Sequence, residues 1–241
     1  MPQNRINILS TRNIDHALVQ DASSKNIGID VISFIKTERV LTSTVLNEVQ
    51  KALVESATVV FTSSNAVEAI AASLDLPRTN PFRWKIFCIG QATKHSVVKY
   101  FGERLIAGVA DNAKELARAI LDGNVRDIIF FCGDQRRDEL PGLLRKNSVH
   151  IQEIVVYQTI ATPEKVEKNY DGILFFSPSA VKSFFEKNIP GDQTVLFAIG
   201  NTTADEIKNF SKNKVMIGDS PDAKVLLQKA IEFFQTNPIH H

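Results

Sequence analysis

Four clusters of small hydroxyl, amide and glycine residues are the part of this sequence best suited to bind a ligand. Each cluster follows a short apolar run and precedes a segment with helical periodicity. They are Thr62-Ser63-Ser64-Asn65, Gly90-Gln91-Ala92-Thr93, Ser177-Pro178-Ser179 and Gly200-Asn201-Thr202-Thr203. Such residues cap helices, and capping by itself would explain each cluster. Helix N-termini also present N–H groups and the positive end of the helix dipole, so four of them suggest a ligand with several anionic arms.

The sequence lacks the motifs of common nucleotide, hydrolase and metal sites. Gly90 and Gly133 are isolated, no Gly-x-x-x-x-Gly-Lys run occurs, and no Gly-x-Ser-x-Gly elbow surrounds a serine. The histidines do not have metal-ligand spacing, and the last two are either native or the remnant of a tag; they are His16, His95, His150, His240 and His241. We therefore expect no metal and no cofactor.

Four further side chains are candidates for a binding or catalytic role. Arg12, Arg136 and Arg137 follow strand-like runs and could face an anionic ligand, although ordinary surface arginines would look the same. Tyr157 ends a long apolar run. It is either a half-buried strand residue without a function or a phenol in a cleft that could donate a proton. The residues alone do not decide between these interpretations.

The chain contains an internal repeat. Val59–Val67 resembles Ile173–Val181 at an offset of 114, Ile86–Thr93 resembles Leu196–Thr203 at 110, and Ile6–Arg12 resembles Ile128–Asp134 at 122. A repeat of this length indicates duplication of a whole domain rather than a solenoid. Two similar domains that face each other would form a cleft, which is where ligands bind.

Short apolar runs alternate with amphipathic segments along the chain, which predicts a doubly wound α/β fold with parallel sheets. The predicted strands are Ile6–Leu9, Val31–Ile35, Thr58–Phe61, Ile86–Cys88, Ile128–Phe131, Ile151–Tyr157, Ile173–Phe176, Val195–Ala198 and Val215–Ile217. The predicted helices include Ala66–Ser73, Ala92–Phe101, Lys114–Leu121 and Ala223–Phe234. In such sheets a ligand binds beyond the carboxyl ends of the strands, where the four clusters fall.

The composition favours a cytoplasmic protein of two domains. The 241 residues carry 28 basic and 27 acidic side chains, and a net charge of +1 gives no sign of a nucleic-acid or membrane partner. No apolar run reaches the length of a membrane span, and the polar start at residues 1–5 is unlike a signal peptide. We expect Cys88 and Cys132, each inside an apolar run, to be buried free thiols.

Two domain partitions are compatible with the repeat. The halves could be separate domains at residues 1–122 and 126–241. Alternatively, the start of each repeat packs against the remainder of the other, and the longer strands Val31–Thr37 and Ile151–Thr159 cross between domains as a paired connector. The residues favour neither arrangement.

Several segments in order resemble the uroporphyrinogen-III synthase family over nearly the whole chain. They are Phe61–Val67, Phe131-Cys132-Gly133 with Arg137 and Leu140, Val156–Thr159, Phe176–Val181 and Ala198–Ala204. The chain departs from the family pattern with Asn13 and Asn201, where proline is common, and with Phe176, where threonine is frequent. The resemblance implies two flavodoxin-like domains joined by a two-stranded linker, with residues 1–35 plus 160–241 in one, 40–153 in the other, and linkers at 36–39 and 154–159.

The same resemblance implies a lyase of tetrapyrrole biosynthesis. The substrate would be hydroxymethylbilane, a linear tetrapyrrole with eight carboxylates, which loses water and closes to uroporphyrinogen III. Closure with inversion of ring D passes through a spiro intermediate, whereas the free bilane closes without inversion. Holding that geometry requires positioning rather than strong acid–base chemistry, which fits the missing catalytic motifs.

Residue roles also follow from the resemblance. Tyr157 would assist the departing hydroxyl, and the substrate would lie against Arg12, Thr62, Ser63, Ser64, Asn65, Gly90, Gly133, Ser177, Ser179, Gly200, Thr202 and Thr203. A monomer is expected that takes the bilane from the enzyme that makes it, with no nucleic-acid or membrane partner. The alternative from another class is a non-catalytic two-lobed binding or sensor protein, which would also lack catalytic motifs.

Overall fold

A computed structural model describes residues 5–40, 42–54, 56–73 and 83–237; His240 and His241 lie outside them. The strands are β1 (Ile6–Ser10), β2 (Ile27–Val31), β3 (Ile35–Arg39), β4 (Thr58–Phe61), β5 (Lys85–Ile89), β6 (Ile106–Ala110), β7 (Asp127–Gly133), β8 (His150–Ala161), β9 (Gly172–Phe175), β10 (Val195–Ala198) and β11 (Val215–Ile217). The helices are α1 (His16–Ser24), α2 (Ser43–Val54), α3 (Ser64–Ser73), α4 (Gln91–Phe101), α5 (Ala113–Asp122), α6 (Glu139–Lys146), α7 (Pro178–Phe185), α8 (Asn201–Lys208) and α9 (Ala223–Thr236).

The chain forms two compact units, each built on its own sheet. The first unit consists of Met1–Lys36 with Ile160–His241, and the second unit is Thr37–Thr159. Both boundaries fall inside strands, one in β3 and the other in β8. The unit that is continuous in sequence is therefore inserted into the one that is not.

Both sheets have the same order of parallel strands. The sheet of the first unit runs β2-β1-β9-β10-β11, and that of the second runs β8-β7-β4-β5-β6 with β3 added beside β8. Each is the 2-1-3-4-5 order of a flavodoxin-like fold, in which the first two strands come from one repeat and the last three from the other. The predicted α/β fold is confirmed, and the shared order is what a duplication predicts.

The pairing register of the two sheets shows how the repeats correspond. Val59 pairs with Ile86, and Ile173 pairs with Leu196, which matches the offsets of 114 and 110. The opening strands correspond differently. Leu9 pairs with Ile173 as Ile129 pairs with Val59, so β1 matches β7 at an offset of 120. The predicted offset of 122 there was wrong by two residues, because two continuous apolar runs contain no turn residue that anchors their alignment.

Helices cover both faces of each sheet, so each unit has two apolar cores. In the first unit, α1 and α9 pack on one face around Ile8 and Phe197, and α7 and α8 pack on the other around Phe175. In the second unit, α2, α3 and α4 pack around Phe61, and α5 and α6 pack around Phe130. This is the doubly wound arrangement, and it leaves the strand ends as the place for a site.

Two sequence-based strand predictions need correction. The predicted long strand Val31–Thr37 is interrupted, because β2 ends at Val31 and β3 begins at Ile35. Between them Phe34 is completely buried and packs edge-on against Phe184 in the first unit, and the chain leaves the strand to reach that core. Strand β6 was missed because its small residues Ala107 and Gly108 weaken the apolar signal.

Within the described residues, no helix combines the length and the apolar character that a membrane span requires.

Candidate functional site

The predicted clusters lie at the carboxyl ends of the parallel strands, where each strand gives way to a helix. In the second unit, Thr62 and Ser63 link β4 to α3, and Gly90 links β5 to α4. In the first unit, Ser177 precedes α7 and Gly200 precedes α8. The four helix starts thus belong to equivalent positions of two sheets, two in each unit.

Ser63 caps helix α3. Its Oγ accepts a hydrogen bond from the backbone N–H of Asn65 at 3.1 Å, and its carbonyl accepts one from the N–H of Val67 at 3.5 Å. A serine at this position satisfies N–H groups that the first helical turn leaves without partners. The hydroxyl of Ser63 is therefore held at the positive end of the helix.

Tyr157 is brought to Ser63 by an irregularity in the sheet. Cys132 pairs with Val155, but the next residue, Gly133, pairs with Tyr157, so β8 carries an extra residue at this point. In a regular strand Val156 and Tyr157 would point to opposite faces. Both instead contact the core around Phe61. A β-bulge re-aims a side chain in this way.

The phenol of Tyr157 is enclosed by two residues of the second unit. Its Oη donates a hydrogen bond to Ser63 Oγ at 3.2 Å. Its ring lies directly over Gly133, where an added Cβ would stand only 2.4 to 2.7 Å from ring carbons and the hydroxyl. Only glycine allows so close an approach. Ser63, Gly133 and Tyr157, predicted separately as site residues, thus form one contact group.

A cavity of about 360 Å³ in the second unit reaches Tyr157 and Asn65. Its volume falls in the range of small-ligand pockets. The remaining lining residues are Thr37, Glu38, Arg39, Glu68, Ala69, Ala72 and Tyr100. Sequence reasoning missed these residues, because they come from β3, α3 and α4 and share no motif; the run of polar residues that begins at Lys36 was the one available signal.

Gly90 offers backbone groups rather than a side chain. It is the N-cap of α4 with φ of 80°, and its N–H donates to the carbonyl of Ala110 at 2.9 Å. That positive φ strains any residue with a Cβ, which explains the glycine. Thr62 and Ser64, like Asn65, are partly exposed beside α3.

The helix starts of the first unit repeat this arrangement. Ser177 caps α7, accepting from the N–H of Ala180 at 3.2 Å, and its Oγ lies 3.2 Å from that of Ser179. The carbonyl of Gly200 accepts from the first turn of α8. Thr202 is exposed there, whereas Thr203 is only 1 % exposed, which weighs against contact between its side chain and a ligand.

Arg12 lies beyond the end of β1 and is held by an aromatic ring. Its guanidinium carbon is 5.3 Å from the centre of the Phe176 ring, a cation–π distance. No carboxylate of the described residues forms an ion pair with Arg12, so its charge remains available for an anion. Phe176 packs on the core around Ile8 and Phe197 and is thereby fixed.

The two other candidate arginines follow β7 and differ in their surroundings. Arg136 forms ion pairs with Glu153 and with Asp138, the latter at 3.1 Å, so its charge is already compensated. Arg137 is exposed.

The cysteines are buried free thiols as predicted, and burial raises the pKa of each to about 11, which keeps them protonated and unreactive. In the part of the chain that is described, no three His, Cys, Asp or Glu side chains are grouped to hold a metal ion.

Comparison with known proteins identifies the family. A family model described as uroporphyrinogen-III synthase HemD matches residues 17–228. The chain belongs to the uroporphyrinogen-III synthase family. A relative from Saccharomyces cerevisiae with the name uroporphyrinogen-III synthase is 24% identical over 224 residues, which are 79% of this chain and 81% of the relative.

Solved structures of the family have the same fold. The uroporphyrinogen-III synthetase of Helicobacter pylori aligns with a TM-score of 0.68 at 14% identity, covering 95% of this chain and 99% of that one. A mutant uroporphyrinogen III synthase of Thermus thermophilus aligns with a TM-score of 0.63 at 13% identity, covering 96% and 100%. At these identities the likeness concerns the fold, and the family assignment rests on the sequence match.

Proposed function

We propose that this chain binds hydroxymethylbilane at the strand ends of its units and closes it to uroporphyrinogen III, with Tyr157 as the proton donor. The family gives the reaction: the chain is a lyase of tetrapyrrole biosynthesis, and cyclisation occurs with loss of water and inversion of ring D. The match over residues 17–228 carries this assignment. The roles of individual residues are supported by their geometry.

Helix starts suit a substrate whose charge is spread over eight carboxylates. The first-turn N–H groups of α3, α4, α7 and α8 can bind carboxylates without proton transfer, and their dipoles favour negative charge. Arg12 adds a full positive charge. We assign substrate binding to these helix starts and to the residues beside them: Arg12, Thr62, Ser64, Asn65, Gly90, Gly133, Ser177, Ser179, Gly200 and Thr202. The two remaining residues that the family resemblance suggested are set apart, because the side chain of Thr203 is buried and the hydroxyl of Ser63 is already bonded to Asn65 and Tyr157.

The chemical step requires one proton at the departing hydroxyl. The pyrrole nitrogen pushes electrons toward the carbon that carries this group, the C–O bond breaks, and the electron pair leaves with oxygen. A proton from Tyr157 converts the departing group to water. The proton is recovered when the last C–C bond forms, because ring D then loses the hydrogen of the carbon that becomes bonded. Tyr157 supports this role because its phenol borders a cavity and is fixed by Ser63.

Tyr157→Phe tests the proton donor. The ring stays over Gly133 and only the hydroxyl is lost, so the fold and the product isomer should be retained while turnover falls about 10²–10⁴-fold, the usual effect of one general acid. The measurement is the rate and the ratio of isomer III to isomer I by chromatography, corrected for spontaneous closure. An unchanged rate would make Tyr157 a purely structural strand residue.

The same assay distinguishes a synthase from a non-catalytic binding or sensor protein. A non-catalytic binding or sensor protein would bind the bilane and leave only the spontaneous product, isomer I. Formation of isomer III in proportion to protein concentration supports the synthase. A purified, folded chain that yields isomer I alone would overturn the proposed function.

We further propose a cytoplasmic monomer that receives the bilane directly from the enzyme that makes it. Hand-over is supported by the substrate, because free bilane closes spontaneously to the wrong isomer. The monomer is supported by the small number of large apolar side chains that are more than a third exposed among the described residues: Val31, Val98, Val155, Ile189 and Phe210. Light scattering on the purified chain gives the oligomeric state, and a dimer mass would refute this part.

A further inference from the structure

We propose that Ser63 acts in the reaction through Tyr157 and not by contact with substrate: it is a positioning residue that holds the phenol and then stabilises the phenolate. This inference rests on the proposed role of Tyr157 as the proton donor. It revises the assignment that the family resemblance suggested, in which Ser63 touches the bilane. It also gives the equivalent serine of the first unit, Ser177, a different role, because among the described residues the Ser177 hydroxyl bonds within its own helix, to the N–H of Ala180 and to Ser179.

The hydroxyl of Ser63 is already committed to the protein. Its Oγ accepts from the N–H of Asn65 at 3.1 Å and from the hydroxyl of Tyr157 at 3.2 Å, which occupies both acceptor positions of a serine oxygen. Only its own proton remains to be donated. The first contact fixes Oγ to helix α3, so the second contact ties the phenol to the same helix.

Gly133 restricts the phenol from another side. The ring is in contact with this glycine, and a Cβ there would stand 2.4 Å from the ring carbon that bears the hydroxyl. The bulge in β8 places Tyr157 against the core around Phe61 as well. With its ring held by packing, the phenolic oxygen can change partners only by rotation of its hydrogen, without movement of the side chain.

The hydrogen bond between the two hydroxyls can reverse during the reaction. In the free protein Tyr157 donates to Ser63. When the substrate binds, the O–H of Tyr157 turns to the departing hydroxyl, and the Ser63 hydroxyl rotates to donate to the phenol oxygen. As the proton of Tyr157 then moves to the departing hydroxyl, the phenol oxygen gains negative charge. A hydrogen bond to a charged oxygen is stronger than one to a neutral phenol, so Ser63 stabilises the transition state more than the ground state. The N–H of Asn65 polarises the Ser63 hydroxyl in the same direction.

A double-mutant cycle on the full-length enzyme tests the coupling. Ser63→Ala should lower kcat roughly 10- to 100-fold, which corresponds to the loss of a hydrogen bond to a charged group, and should change KM little. In the Tyr157→Phe background, Ser63→Ala should cause no further loss of kcat, because the group it serves is gone. Rates of isomer III formation are measured for the four proteins, and fold is checked by circular dichroism.

Two further variants separate the coupling from the capping of α3. Ser63→Gly removes the hydroxyl but keeps a good N-cap residue, so it should lower kcat as Ser63→Ala does, even if the alanine variant folds poorly. Asn112→Ala removes a similar cap, the contact of Asn112 with the N–H of Glu115 at 3.0 Å, from helix α5 of the same unit. It should lower stability and leave kcat unchanged.

Each outcome of the cycle has a distinct meaning. An equal fold-loss from the Ser63 substitution in both backgrounds would show that Ser63 acts on the substrate independently, and the inference would be wrong while the Tyr157 role stands. A wild-type rate for Ser63→Gly would overturn the inference as well. A wild-type rate for Tyr157→Phe would remove the proton donor itself, and both proposals for Tyr157 would fail together.

Discussion

At the scale of single residues, Phe176 departs from the family pattern and supports the side chain of Arg12. Phe176 stands where threonine is frequent in the family, and its ring supports the guanidinium of Arg12 at 5.3 Å. An arginine held in this way loses less conformational freedom when it binds a carboxylate than a free one does. The aromatic ring therefore helps the binding of an anionic substrate without contact with it.

Phe176→Leu should weaken substrate binding. The variant keeps an apolar side chain on the core and removes the ring under Arg12, so KM should rise about two- to fivefold with little change in kcat, the effect of one exposed cation–π contact. Arg12→Gln should raise KM further, because it removes the charge. Phe210→Leu is the control, since it deletes another partly exposed ring, one stacked on Phe185, and should leave KM unchanged. A wild-type KM in Arg12→Gln would contradict the carboxylate contact.

Residue chemistry could be predicted from the sequence only where it is local. The caps at Ser63 and Ser177 follow from the order of apolar run, hydroxyl residue and helix, and the structure has both. The contact between Ser63 and Tyr157 spans 94 residues and depends on a bulge, so no local pattern carries it. For the same reason the partners of Arg12 and of Arg136 were not predicted.

At the scale of elements, the bulge in β8 is the feature on which the site depends. It brings two consecutive residues, Val156 and Tyr157, to one face of the sheet, and it places the tyrosine ring against Gly133 in β7. The pairing of β7 with β8 is otherwise regular from Asp127 to Cys132. A single added residue in one strand therefore determines where the proton donor lies.

Gly133→Ala should lower kcat by pushing the ring of Tyr157 away from Ser63. The added Cβ would stand less than 3 Å from two ring carbons, so the ring has to shift. The hydroxyl is attached to the rigid ring and shifts with it. We expect a loss comparable to that of Tyr157→Phe. Gly142→Ala is the control, because its Cβ meets only Asp138 Oδ2 at 3.6 Å and alanine favours helix α6. Normal turnover in folded Gly133→Ala would show that the close approach has no role in catalysis.

Another group of contacts ties the segment before β9 to β2 in the first unit. Asp30 accepts hydrogen bonds from Lys168 and from Tyr170, each at 2.8 Å. The hydrogen bond from Lys168, the largest contribution, and then the one from Tyr170 lower the pKa of Asp30 below its usual 3.8, although partial burial opposes the shift. Burial and the neighbouring Asp30 raise the pKa of Tyr170 well above its usual value.

Asp30 should contribute to stability in a pH-dependent way. A carboxyl whose pKa is lowered by folding stabilises the protein above its unfolded pKa, and this contribution is lost as the pH falls through the folded value. Asp30→Asn should therefore be less stable than wild type at neutral pH, by about 1 kcal/mol or less because the pair is half exposed, and the difference should vanish in strong acid. Urea unfolding across this pH range measures it. A constant difference would contradict the linkage.

Elements were predictable where the strands are buried on both faces. Runs such as Thr58–Phe61 and Val195–Ala198 have four-residue bounds in the structure identical to those predicted. The predictions failed where tertiary packing decides the path of the chain, as at Phe34 between β2 and β3. The correspondence of β1 with β7 could be corrected only from the pairing register. Two continuous apolar runs can be aligned at several offsets with equal similarity, so the sequence pattern does not select one.

At the scale of the whole molecule, repeat and unit are different divisions of the same chain. Each repeat gives its first two parallel strands to one sheet and its last three to the other. The core around Phe130 in the second unit illustrates the result, since Leu116 and Ile120 come from the first repeat and Leu140 and Leu144 from the second. Neither repeat can complete a core alone.

Fragments of the chain should fold according to the units and not the repeats. Residues 37–159 are the whole of the second unit and contain both of its apolar cores. This fragment should therefore unfold cooperatively in urea. Residues 1–122 lack β7, the neighbour of β4, and should show no cooperative transition. Circular dichroism on the two fragments and the full chain measures this. Cooperative unfolding of residues 1–122 would favour the division into separate halves.

Because one unit is inserted into the other, the strands of the first sheet are synthesised at widely separated times. Strand β1 can pair with β2 as soon as both leave the ribosome, but its other edge waits for β9, which is made about 160 residues later. At a translation rate of about 5–20 residues per second, the nascent chain leaves that edge of β1 unpaired, with the apolar side chains of Ile8 and Leu9, for roughly 10–30 s. The second unit can be finished during this delay. The yield of active protein at elevated temperature should therefore depend on chaperones that shield the first forty residues, whose native partners are among the last to emerge.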